Sequence, residues 1–128
     1  MNDLSKSDLE RLQGKWRQVR YERDGVVSPQ DDEASWSPLT AFVGDTFSVE
    51  IADGSVPIAG LVRLDASHSP KHVDYHDTHG EYAGTTFLAI YTLEDDVFSF
   101  CAGGVGEPRP TAFSTGPGQV LRVMVREV

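Results

Sequence analysis

Turn signals break this chain at short intervals, and that spacing constrains the fold more than any other feature. Asp24-Gly25, Gly44-Asp45, Asp53-Gly54 and Glu94-Asp95-Asp96 carry residues suited to a left-handed or tightly bent backbone. The runs between them alternate, or are apolar throughout, which is the pattern of strands. Phe47, Val49 and Ile51 point one way and Thr46, Ser48 and Glu50 the other, so one face is buried and one is wet. Eight strands are expected: Lys15–Arg23, Leu39–Val43, Thr46–Ile51, Val56–Leu64, Lys71–His76, Thr85–Leu93, Val97–Ala102 and Gln119–Glu127. Thr85–Leu93 is apolar on both faces, as an enclosed strand would be. Short links make consecutive strands antiparallel neighbours. The fold class expected is all-β: a single antiparallel eight-stranded up-and-down barrel, whose interior holds side chains or one small ligand. One helix precedes it. Ser7-Asp8-Leu9-Glu10 matches a capping box, with Ser7 as N-cap and Glu10 three residues on, and Gly14 ends the helix.

The chain has 128 residues, the size of one domain spanning 1–128. Its net charge of −9 would repel a duplex or an anionic membrane surface, so neither nucleic acid nor membrane is an expected partner. Cys101 has no second cysteine to pair with, which suits a reducing compartment. The start, Met1-Asn2-Asp3-Leu4-Ser5-Lys6, has neither an apolar core nor a cleavage pattern, and no apolar run approaches bilayer length. A cytoplasmic location is therefore expected. Three connections are longer than turns: Val26–Pro38, Asp77–Gly84 and the glycine- and proline-rich Gly103–Gly118.

Several stretches, taken in order, resemble a bacterial family of small lipocalin-like domains of the planctomycete type. They are Leu12-Gln13-Gly14-Lys15-Trp16, Phe42-Val43-Gly44-Asp45-Thr46-Phe47, Pro70-Lys71-His72-Val73-Asp74 and Ala89-Ile90-Tyr91-Thr92-Leu93. Gly106-Glu107-Pro108-Arg109-Pro110-Thr111-Ala112-Phe113 and Gly118-Gln119-Val120-Leu121 complete the set. The resemblance covers nearly the whole chain and implies a calycin-type barrel. It implies little about activity, because the family has no general assigned one. Gly14-Lys15-Trp16 is also similar to the G-x-W of lipocalin first strands. That similarity makes Trp16 the plug of the closed end, with Arg122 or Arg126 of the last strand lying over its indole.

All four histidines, His68, His72, His76 and His79, fall within one short stretch. On a strand His72, Asp74 and His76 share a face, a weak metal pattern because strand residues i and i+4 lie about 13 Å apart. His76 and His79 across a turn are the better candidate pair, against a plain reading of polar strand end and exposed loop. Asp74, flanked by Val73 and Tyr75, is read as facing inward, where a buried carboxylate needs a partner. Arg109, braced by Pro108 and Pro110, is the candidate. Together they either anchor a ligand at the barrel mouth or tie the long loop to the barrel. Tyr75 and Tyr91 are read as ligand-facing hydroxyls or as core tyrosines with satisfied hydroxyls. Trp36 is read as a lid residue or a core cap. Cys101 is a small core residue, and Gly103-Gly104-Val105-Gly106 lacks the lysine of a phosphate loop. With no nucleophile, metal or dinucleotide motif present, no cofactor is expected.

The first functional reading is a module that binds a small apolar molecule through Asp74, Tyr91, Arg109, Tyr75 and Trp36. A cavity-based biosynthetic enzyme, a cyclase or isomerase, fits the same barrel, and so does an interaction domain with a filled interior.

Overall fold

The structure is a computed structural model that describes residues 3–27 and 38–127. Helix α1 (Asp3–Leu12) leads into β1 (Gly14–Arg23) and the two-residue β2 (Val26–Val27). Seven strands follow: β3 (Leu39–Val43), β4 (Thr46–Glu50), β5 (Ile58–Asp65), β6 (Lys71–His79), β7 (Thr86–Glu94), β8 (Val97–Ala102) and β9 (Val120–Arg126). Neighbours pair antiparallel from β3 through β9, β1 pairs with β3, and β9 returns to β1. The result is a closed eight-stranded meander, with β2 folded back on the end of β1 as an extra strand. Closure removes the exposed edges that an open sheet would leave. No helix among the described residues is long and apolar enough to cross a membrane.

The eight barrel strands lie close to where the turn signals place them, while β2 falls in what the sequence reads as the Val26–Pro38 connection; two further departures are informative. The helix does not begin at Ser7; it runs from Asp3. Tertiary contacts recruit the earlier turn, because the Ser5 hydroxyl accepts the Ala66 amide at 2.8 Å. Strand β6 does not stop at His76 but continues to His79. Its pairing with β5 shifts register between Ala59 and Gly60, so Gly60 opposes Asp77 while Ala59 opposes His79. Such a bulge bends a strand and re-aims its side chains. Gly60 is required there, since a Cβ would run into the His76 carbonyl oxygen.

Side chains alternate in and out around the ring. Trp16, Phe42, Leu64, Val73, Tyr91, Leu93, Phe98 and Met124 point inward and form the core with Leu12 of the helix. Phe98 is the hub, with ring centroids at 6.1 Å from Trp16 and 5.9 Å from both Phe42 and Tyr91. The helix closes this end. Trp16 donates its indole N–H to the Leu12 carbonyl at 2.8 Å, and Arg126 stacks on the other side, 4.4 Å from the ring centre. Arg126, and not Arg122, is thus the partner of Trp16. Both arginines face inward on β9, but four residues on a strand span about 13 Å, which puts Arg122 near the other end. Arg126 also donates to the carbonyls of Gln13 and Arg11, at 2.9 and 2.5 Å, which ties the helix exit to the last strand.

A second layer lies outside. Ile90, Cys101 and Leu121 face away from the interior on β7, β8 and β9, and Phe113 of the long β8–β9 connection covers them. This explains why β7 is apolar on both faces.

Buried Asp8 pins the helix to the wall. Its carboxylate accepts the Tyr91 hydroxyl at 2.7 Å and meets Lys71 at 2.9 Å. Tyr91→Phe leaves a buried carboxylate short of one donor. It should cost about 1.5–3 kcal/mol, the range for hydrogen bonds to charged groups, read as a lower urea midpoint with an unchanged m-value.

Candidate functional site

The barrel end opposite the helix is open among the described residues. Between the ends of β1, β6 and β8 and the starts of β3, β5, β7 and β9 lies a cavity of about 390 Å³. That volume is within the range of small-molecule sites. Its wall is mostly apolar: Phe47, Val49, Ile58, Phe87, Phe100, Ala102, Val120 and Met124. Asymmetry between the ends produces it. Leu12 of the helix and Trp16 fill the closed end, while the smaller Thr40 and Val49 line the cavity.

Among the polar side chains that line this space are Gln18, Tyr75, Asp77 and Arg122, with Arg23, Asp24, Thr40 and Tyr82 beside them. Tyr75 on β6 packs its ring between Phe47 and Phe100, at centroid distances of 5.2 and 4.9 Å. Its buried hydroxyl has no hydrogen-bond partner among the described residues. Burial raises its pKa, so it remains a neutral phenol. Arg122 on β9 donates to Gln18 Oε1 at 2.6 Å and lies 4.6 Å from the Tyr21 ring centre, which fixes its guanidinium on the far wall. Asp77 on β6, only 5% exposed, lines the cavity with Tyr75, Arg122 and Gln18. Its backbone is held by Thr85 and Gly84, at 2.9 and 2.7 Å, and its side chain makes no hydrogen bond among the described residues. Burial pushes the Asp77 carboxyl above the usual carboxylate range, partly offset by the charge of His76.

The residues anticipated from the sequence divide sharply. Tyr75 lines the cavity. Asp74 does not face inward: Val73 and Tyr75 occupy the interior, and the period of two turns Asp74 outward. There Arg109 meets it at 2.7 Å, a close ion pair off the line that a hydrogen bond needs. Arg109 also donates to the carbonyls of Ala89 and Val73, at 2.7 and 3.4 Å. The pair clamps the long loop to the outer wall, away from the cavity. Tyr91 is inward but at the closed end, committed to Asp8. Trp36 lies outside the described residues. Arg122, anticipated as a structural partner of Trp16, lines the cavity instead.

The histidines lie on the outer wall. His68 and His72 stack face to face, with centroids 3.8 Å apart, and His68 meets Asp65 at 3.3 Å. Partial burial, then the charges of Arg109 and His68, lower the His72 pKa. His76 Nδ1 lies 2.8 Å from the Thr86 hydroxyl. No turn separates His76 from His79, because β6 runs through both. No three His, Cys, Asp or Glu side chains come together to hold an ion among the described residues. Cys101 is buried, and burial raises its thiol pKa, which leaves it inert.

No protein-family model, curated protein or solved structure matches this chain. The reading of its site therefore rests on the geometry alone.

Asp77 gives a test with a defined sign. Its folded pKa lies above its unfolded value, so the folded chain keeps a proton that the unfolded chain has already released. Stability is highest below the unfolded value and falls as pH rises through the folded one. Asp77→Asn removes that loss. The variant should melt higher than the parent at pH 7, and the gap should close towards pH 3. A parent whose melting temperature rises against the variant between these limits contradicts the assignment.

Proposed function

We propose that the protein binds a small, largely apolar molecule in the open end of its barrel. The observation that carries this is the 390 Å³ cavity itself, walled by aromatic and aliphatic side chains and reached by a few polar groups. Tyr75 anchors the ligand from β6 and Arg122 with Gln18 from the opposite wall. The buried Tyr75 hydroxyl supports this reading, because a polar group without a partner in an apolar site costs free energy that a ligand acceptor would recover. An interior filled by side chains, which an interaction-only barrel would need, is not what the open end presents. We also place the chain in the bacterial lipocalin-like family that its motifs resemble, and in the cytoplasm. Both rest on the sequence features described above.

The test is titration with N-phenylnaphthylamine, an uncharged probe that fluoresces in apolar surroundings. The parent should bind it. Ala102→Phe, on an inward position of the cavity wall, should weaken binding about tenfold or more, a loss of about 1.4 kcal/mol. Its circular dichroism should stay that of the parent. Equal binding by the two proteins would place the probe elsewhere and sink the reading.

A further inference from the structure

Of the charged groups that line the cavity, Asp77 is the one whose side chain has no hydrogen bond, ion pair or ring contact among the described residues. Arg122 has Gln18 and Tyr21. No hydrogen bond among the described residues reaches the Asp77 carboxyl, and Asp77 lines the cavity together with Tyr82 and Phe87. Phe87 follows on β7, and Tyr82 belongs to the tight loop whose backbone holds Asp77 in place. These two rings pack edge to face at 5.6 Å. The β6 bulge opposite Gly60 lies at Asp77, as bulges often lie where a strand must aim a side chain.

We propose that the ligand is an apolar or aromatic amine whose ammonium group is held by Asp77 beside the rings of Tyr82 and Phe87. This rests on the cavity-binding reading above and names the ligand class. A carboxylate removed from water is stabilised by a cation far more than by a neutral donor. Ring faces attract the same cation, and the attraction grows once water is excluded. Among the described residues no cation pairs with Asp77: His76 is next in sequence but faces outward, Arg122 is fixed across the barrel, and Arg23, which also lines the cavity, lies over the Tyr21 ring. The net charge of −9 further favours entry of a cationic ligand over an anionic one. The rest of the cavity wall takes the apolar body.

Three probes of nearly equal shape test this: naphthylethylamine, naphthylethanol and naphthylpropionic acid, titrated by calorimetry at pH 7. The amine should bind the unmodified protein at least about tenfold more tightly than the alcohol, with the acid weakest. Asp77→Asn should remove the preference for the amine, so that the amine and the alcohol bind alike. The folding of this variant is checked by its melting curve, and the preference of the unmodified protein needs no variant at all. If the alcohol or the acid binds as tightly as the amine, or the variant keeps the preference, the amine assignment is overturned and the cavity reading stands. If none of the three binds, the cavity reading falls and takes the assignment with it.

Discussion

The barrel closes where Trp16 on β1 lies opposite Arg126 on β9. That register pair joins the first and last strands of the ring, and it also seals one end. The guanidinium over the indole is worth about 0.5–2 kcal/mol. Its hydrogen bonds to the Gln13 and Arg11 carbonyls matter as much, because they satisfy backbone acceptors at the end of the helix. With the helix held there, Leu12 fills the barrel from below and Asp8 meets Tyr91 and Lys71. Everything at the other end follows from this asymmetry. A ring of eight strands can pack its interior solid, but here large side chains and the helix are spent at one end. The other end keeps its space.

Outside the ring, a second interaction stabilises what closure leaves exposed. The β8–β9 connection lies across β7, β8 and β9, burying Ile90, Cys101 and Leu121 under Phe113. Arg109 holds it to the wall through Asp74 and two backbone carbonyls. The same connection supplies Gly103, Gly104 and Val105 to the rim of the cavity. Its clamp therefore shapes the mouth from a distance, although neither Asp74 nor Arg109 reaches the cavity.

Much of the fold is legible because it is local. Strands Leu39–Val43 and Val97–Ala102 have turn residues at both limits, and the structure matches them at each end. Trp16 is recognisable from its glycine and its place at the start of the first strand. What escapes a sequence reading is set by contacts between distant residues. Tyr91 sits inward in either reading, but only the docking of Asp8 commits its hydroxyl to the closed end. The helix starts before its apparent cap because Ser5 reaches Ala66. Asp74 and Asp77 are the sharpest case. The bulk of Val73 and Tyr75 was a usable signal that Asp74 points out, and the same alternation sends Asp77 in. Asp77 escaped because β6 passes its apparent end through a bulge that only the pairing with Gly60 makes visible.

The most direct measurement is a methyl-resolved NMR titration of the protein with N-phenylnaphthylamine. Val49, Ile58, Val120 and Met124 line the cavity, while Leu12, Leu64 and Val73 belong to the packed core. Shifts concentrated on the first set, with the second unmoved, are the result this account predicts. Shifts concentrated on the second set, or no saturable shifts at the first, would contradict it.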